Sequence, residues 1–73
     1  MNTLRLSEFK RACELEFGVL QAMVLISEYW LPQLRATPAE ALSSNADVRR
    51  VWLALCEEMN VPEERRHGAG KNI

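Results

Sequence analysis

Seventy-three residues allow one domain at most, and a chain this short builds a core worth only ~3–5 kcal/mol of net stability. Hydrophobic residues make up 48% and charged residues 26%, which excludes the charge-rich, core-poor composition of a disordered chain. Nine basic residues against ten acidic ones give a net charge of −1, which excludes a globally basic nucleic-acid binder and leaves only a local patch for that role.

The first segment, "LRLSEFKRACELEFG", meets charge at Arg5 and Glu8 before any apolar leader could form. Ser7 is placed to cap a helix, Glu8 suits its first turn, and Gly18 is expected as the left-handed stop after Phe17. Phe9, Ala12, Cys13 and Phe17 then share one face. Glu16 falls in the middle of that face, near the negative end of the helix dipole, so it must either reach water or be answered by an arginine. At a helix end, water is the simpler expectation.

The second segment covers residues 19–31, thirteen residues that end at Pro32, which cannot continue a helix without losing a backbone bond. Thirteen residues interrupted by Gln21 and Glu28 fall short of the ~20 that span a bilayer, so no membrane association is expected and the protein reads as cytoplasmic. A helix apolar nearly all round is buried on several sides. Here that means a central helix wrapped by the others, or one completed by another subunit in a homo-oligomer.

"TPAE" at 37–40 carries a capping box, with Thr37 as cap, Pro38 at the first helical position and Glu40 three residues after the cap, opening a short helix. "SSNAD" offers the next start, with Ser44 as cap and Asp47 reaching back. From there Val48, Val51, Trp52, Leu55, Cys56 and Met59 recur at helical spacing, the clearest period in the chain. Asn60 is a left-handed terminator, "VPEERR" a closing turn begun at Pro62, and "HGAGKNI" a disordered tail. The expected fold is all-α, a small compact bundle of three main helices plus a short helix and a C-terminal turn. One domain spans 4–66, and 67–73 form the tail. Phe9, Cys13, Phe17, Met23, Ile26, Trp30, Leu42, Val51, Trp52, Leu55 and Met59 are its expected core.

An enzyme is not expected. His67 is the one histidine, no Ser or Cys stands near it in sequence, and none of the three glycines forms a phosphate loop. Glu64 and His67 make a single E-x-x-H, but a di-iron carboxylate site needs a second such motif and two further glutamates. No metal and no cofactor is therefore expected. Cys13 and Cys56 stand far apart in sequence without a CxxC and read as small buried hydrophobes in a reducing compartment.

Two binding roles remain. "TPAEALSSNADVRRVW" has the outline of a helix-turn-helix with Arg49 and Arg50 near the start of the second helix, where they could meet guanine edges or phosphates. Against this stand the acidic balance, the ~100° between adjacent arginines, and Asp47, which is placed to pair with Arg50. The favoured role is docking of a partner protein. Leu53 falls opposite the buried stripe, between Arg49 and Glu57, and with Ala54 would form the apolar centre of a small polar-rimmed surface.

The run "VWLALCEEMNVPEERRHG", with "LRLSEF", "EFG" at 16–18 and "AEAL" at 39–42, resembles DUF3046, a family of small actinobacterial proteins of unknown function. The resemblance runs from Leu4 to about Gly68. The link "LPQLRATPAEAL" departs from it, because members often carry glycines before the threonine. The resemblance implies a short helical cytoplasmic protein with no assigned activity or site residues. Genes of the family often lie near those of the DNA recombinase and its regulator, which adds weight to a role in DNA repair or recombination. The expected function is thus a non-enzymatic accessory or adaptor module binding an unidentified protein through Arg49, Leu53 and Glu57; the alternative is a DNA binder using Arg49 and Arg50.

Overall fold

In the computed structural model, which describes residues 5–68, the chain forms four α-helices and a closing 3₁₀ helix. They are α1 (Leu6–Phe17), α2 (Val19–Glu28), α3 (Pro38–Ser43), α4 (Val48–Glu58) and the 3₁₀ helix Glu63–Gly68. Each α-helix packs on the next, and α4 closes the ring against α1. Among the described residues there is no strand, only an isolated bridge between Leu31 and Ala36, so the all-α bundle is the fold. The 3₁₀ helix runs two residues past the expected domain edge at 66; the rest of the expected tail, and Leu4, lie outside the described residues.

Helix ends follow backbone chemistry more closely than the side-chain caps expected of them. Arg5, not Ser7, is the N-cap of α1, and its amide donates to Glu8 Oε1 at 3.0 Å, so Ser7 already lies inside the helix. Gly18 ends α1 by donating to the Glu14 carbonyl, and its own carbonyl accepts from Ala22 as the start of α2. Serving both helices requires positive φ for the stop and extended ψ for the start. The result, φ 89° and ψ 153°, lies outside the left-handed region expected of a stop, in territory open essentially to glycine.

The second helix stops at Glu28, three residues before its expected end. The ring of Pro32 would crowd the Glu28 carbonyl in a continuing helix, and a residue before proline is pushed towards extended backbone. Leu31 accordingly turns inward, fully buried, and donates to Ala36 across a tight loop in which Arg35 takes φ 55°. The capping box of α3 forms as expected: the Glu40 amide donates to Thr37 Oγ1 at 3.2 Å and the Thr37 amide donates to Glu40 Oε1 at 3.1 Å.

Ser44, expected as the cap of α4, instead closes α3, and the N-cap of α4 is Asp47, which makes no side-chain cap bond. Asn45 and Asn60 explain the shift, each holding positive φ just after a helix and donating to a carbonyl two residues before the C-cap. The residues after them, Ala46 and Val61, donate back to Ala41 and Cys56, completing the same six-residue closure at α3 and α4.

The largest share of the core comes from α4, through Val51, Trp52, Ala54, Leu55 and Cys56, met by Phe9, Ala12 and Cys13 of α1, Ala22 and Leu25 of α2, Leu31, Pro38, Ala41 and Val61. Phe17, Ile26, Leu42 and Met59 pack at its edge. Two expected core residues do not belong: Met23 is 61% and Trp30 56% exposed. In the ring α2 has neighbours on one side only, so Met23 points away from them, and Trp30 lies beyond the helix end, off its period. Neither a wrapped nor a central helix is therefore present at α2.

The C-terminal 3₁₀ helix is tied down at three points. Arg65 grips Glu16 with Nε and Nη2 donating to Oε2 at 3.0 and 2.8 Å, so the carboxylate expected to reach water is answered by an arginine 49 residues away. Trp52 Nε1 donates to the Arg66 carbonyl at 2.8 Å, and Arg66 Nε donates to the Val61 carbonyl. At the C-terminal end of α4, the Tyr29 hydroxyl donates to Glu58 at 3.0 Å and fixes the exit of α2.

Two of the four positive-φ positions, Gly18 and Arg35, make opposite predictions. Gly18→Ala should cost ~1–3 kcal/mol, because the strain is conformational and no atom lies within 4 Å of an added Cβ. Arg35→Gly should stabilise by about 0.5–1 kcal/mol, the relief of a left-handed residue less the extra freedom of glycine in the unfolded chain. Urea midpoints at constant slope check both, and a loss on Arg35→Gly would mean that the arginine holds the loop by contacts that outweigh its backbone strain.

Candidate functional site

The outer arc of α4 is what its buried stripe leaves over. At ~100° per residue, Arg49, Leu53, Glu57 and Arg50 fall within about 100° of one another, opposite Val51 and Leu55 and bordering the Trp52 and Cys56 edge of the buried arc on the Arg49 side. All four line a groove of about 720 Å³, together with Asp47 and Ala54, Gln33 from the loop after α2, and Glu63 and Arg66 from the 3₁₀ helix. The structure thus brings together Arg49, Leu53 and Glu57, and sets Arg50 on the same groove.

Leu53 is 37% exposed, the apolar centre of an otherwise polar surface. Ala54 lines the groove beside it, as expected, but contributes little surface. It is buried at 3%, because the covered arc of α4 is wider than the stripe of large residues and takes in its small side chain. The expected Asp47 to Arg50 pair is also not formed among the described residues. Asp47 stands outside the helix with ψ 124°, so three-residue spacing does not carry it onto the helical face.

Arg66 is the groove residue that the sequence pattern did not single out. Its Nη1 donates to Glu57 Oε1 at 3.0 Å while its Nε holds Val61, so the guanidinium is oriented before any ligand arrives. The closing turn "VPEERR" gave the only signal, and nothing in that spacing points at Glu57. Three arginines and three carboxylates, with Asp47 and Glu63 counted beside Glu57, leave the rim balanced in charge. Such a rim can donate from guanidinium to carbonyl or carboxylate and accept from a cationic side chain; it favours neither sign.

Thiol chemistry is poorly served. Cys13 and Cys56 are fully buried free thiols. Burial pushes Cys13 up to about 12, with Cys56 and Glu14 adding to the rise. Burial likewise pushes Cys56 up to about 12, raised further by Glu16 and partly offset by Arg66. Neither supplies a thiolate near neutral pH. Among the described residues no group of three or more His, Cys, Asp or Glu side chains is gathered where it could hold a metal ion. Among the described residues no helix is long and apolar enough to cross a membrane.

A family model described as a protein of unknown function, DUF3046, matches residues 4–64. No curated protein and no solved structure matches the chain.

The buried thiols make stability fall in alkali. The unfolded chain releases their protons from about pH 9, while the folded chain holds them to about 12, so folding is penalised progressively above pH 9. The expected slope is about 1.4 kcal/mol per pH unit for each thiol. Urea unfolding between pH 8 and pH 11 measures it; a flat profile would mean that the thiols ionise in place.

Proposed function

The chain belongs to the DUF3046 family, whose function is unknown, and from that premise we propose that it is a non-enzymatic accessory module holding a segment of another protein in the α4 groove. One observation carries this: Arg49, Leu53 and Glu57, on successive turns of α4, line a single groove to which Arg66 is added from the 3₁₀ helix. The fitting segment presents one apolar side chain to cover Leu53, flanked by an acidic and a basic residue. Covering Leu53 supplies affinity, and the balanced charges set orientation and reject mismatched partners.

A second proposal, a DNA-binding helix pair serving repair or recombination, has one observation in its favour. Among the described residues Arg49 and Arg50, in the first turn of α4, make no ion pair, and α3 packs against α4 across a link at 44–47. Asp47, Glu57 and Glu63 on the same groove would repel phosphates and make this the weaker of the two.

Crosslinked pull-downs from native cells, comparing the natural chain with Leu53→Asp and with Arg49→Glu, test the first proposal. Loss of one and the same captured protein in both variants is expected, with helical circular dichroism unchanged. Retention in both would remove the groove as the docking site. For the second, titration with duplex DNA at low and moderate salt decides: no saturable binding at low salt excludes it, because phosphate contacts are strongest there.

A further inference from the structure

The outer face of α2 is the largest feature that the groove leaves unused. Val19, Leu20, Met23 and Val24 lie within about 140° of one another on the helix, and they are 56%, 78%, 61% and 51% exposed. Ser27 falls in the middle of this arc, but its hydroxyl donates to the Met23 carbonyl at 2.8 Å and makes no demand on water. Leu15, 77% exposed, stands one turn before the Gly18 joint. The inner face holds Ala22, Leu25 and Ile26 against the core, so α2 is apolar on both sides and covered on one. A monomer seldom shows a continuous apolar patch beyond a few hundred Å².

The ends of α2 indicate what covers it. Its N-cap is Gly18 with no side-chain cap bond, and its first turn holds no acidic residue, so the positive end of the helix is unanswered. Its last residue is Glu28, placed against the negative end of its own dipole, with no basic residue in that turn. An antiparallel copy of the same helix brings the Glu28 of each chain to the bare N-terminus of the other. A foreign helix would have to supply that acidic group at that position; a second copy already carries it.

We infer that the outer face of α2 is the interface of a homodimer, in which the α2 helices of two copies pack antiparallel about a two-fold axis near Met23 and Val24. Such an interface is isologous, with the Val19 end of one chain meeting the Glu28 end of the other. Val19, Leu20, Met23 and Val24, each more than half exposed, would form the apolar centre of that contact. A net charge of −1 sets no appreciable repulsion between copies. None of the groove residues belongs to α2, so this inference goes beyond the proposed function and does not depend on it.

Sedimentation equilibrium of the full chain from micromolar to millimolar concentration should show the mass rising from one chain to two. The double variant Leu20→Glu, Met23→Glu, at exposed positions, should remain a single chain throughout with its helical circular dichroism retained. Glu28→Lys should weaken the dimer by roughly three- to thirtyfold, since two helix ends lose their acidic partner at once. Leu53→Asp should dimerise like the natural chain. A natural chain that stays single at millimolar concentration, or a double variant that still pairs, overturns the inference, and an unchanged dissociation constant for Glu28→Lys overturns the antiparallel arrangement. Because Leu53→Asp alone addresses the groove, failure here leaves the groove's own pull-down result untouched.

Discussion

Everything else in the molecule is arranged around Trp52. Its ring is all but fully buried and meets Phe9 edge-to-face, with centroids 6.3 Å apart and planes at 85°, which joins α4 to α1 through the two largest buried side chains. An indole brings a polar N–H into the core with it, and leaving that donor unpaired would cost more than one ordinary hydrogen bond returns. The Arg66 carbonyl satisfies it at 2.8 Å. The chain beyond α4 must therefore fold back over the core, and the 3₁₀ helix exists where it does because Trp52 needs an acceptor. Once there, it brings Arg65 to Glu16 and Arg66 to Glu57, so the electrostatics of two helices follow from one buried N–H.

The return path is made possible by backbone conformation at a few positions. Asn60 turns the chain with positive φ, Val61 is then buried against the core, and the last turn starts in place to reach Trp52. Asn45 does the same between α3 and α4, and Arg35 does it without the tolerance of asparagine or glycine. Pro32 shortens α2 and throws Leu31 inward, which closes the side of the ring between α2 and α3. In a chain of 73 residues these turns bring four short helices onto one shared core, where longer loops would leave too little surface to cover.

The two surfaces left over differ in kind. The α4 groove is rimmed by both signs of charge with a single leucine at its centre, and one of its arginines is already held by a backbone carbonyl and a carboxylate. That character suits selective, reversible recognition. The α2 strip carries no charge and is more than half exposed at Val19, Leu20, Met23 and Val24, an apolar character that suits the centre of a homodimer contact. Two chains joined through α2 would carry two grooves on one particle, and a partner with two matching segments would be held far more tightly than by either groove alone.

By itself the sequence determined the number and order of helices, the capping box at Thr37 and Glu40, the buried stripe of α4 and the place of Leu53 outside it. These are set within a few residues by helical period and by the chemistry of Thr, Pro and Asn, and local rules suffice for them. The same rules erred wherever a residue had two local uses. Ser44 could open one helix or close another, and Asn45 beside it decided for closing; Gly18 had to do both at once. Only the tertiary structure decided what lies far apart in sequence. Glu16 waits 49 residues for Arg65, Trp52 finds its acceptor on Arg66, and Glu57 gains a partner that no spacing on α4 predicts. Period could show that α2 is apolar all round, but not which side its neighbours would take. That depends on where the ring of helices closes, and closing it leaves Met23 and Trp30 outside the core to which their hydrophobicity alone would assign them.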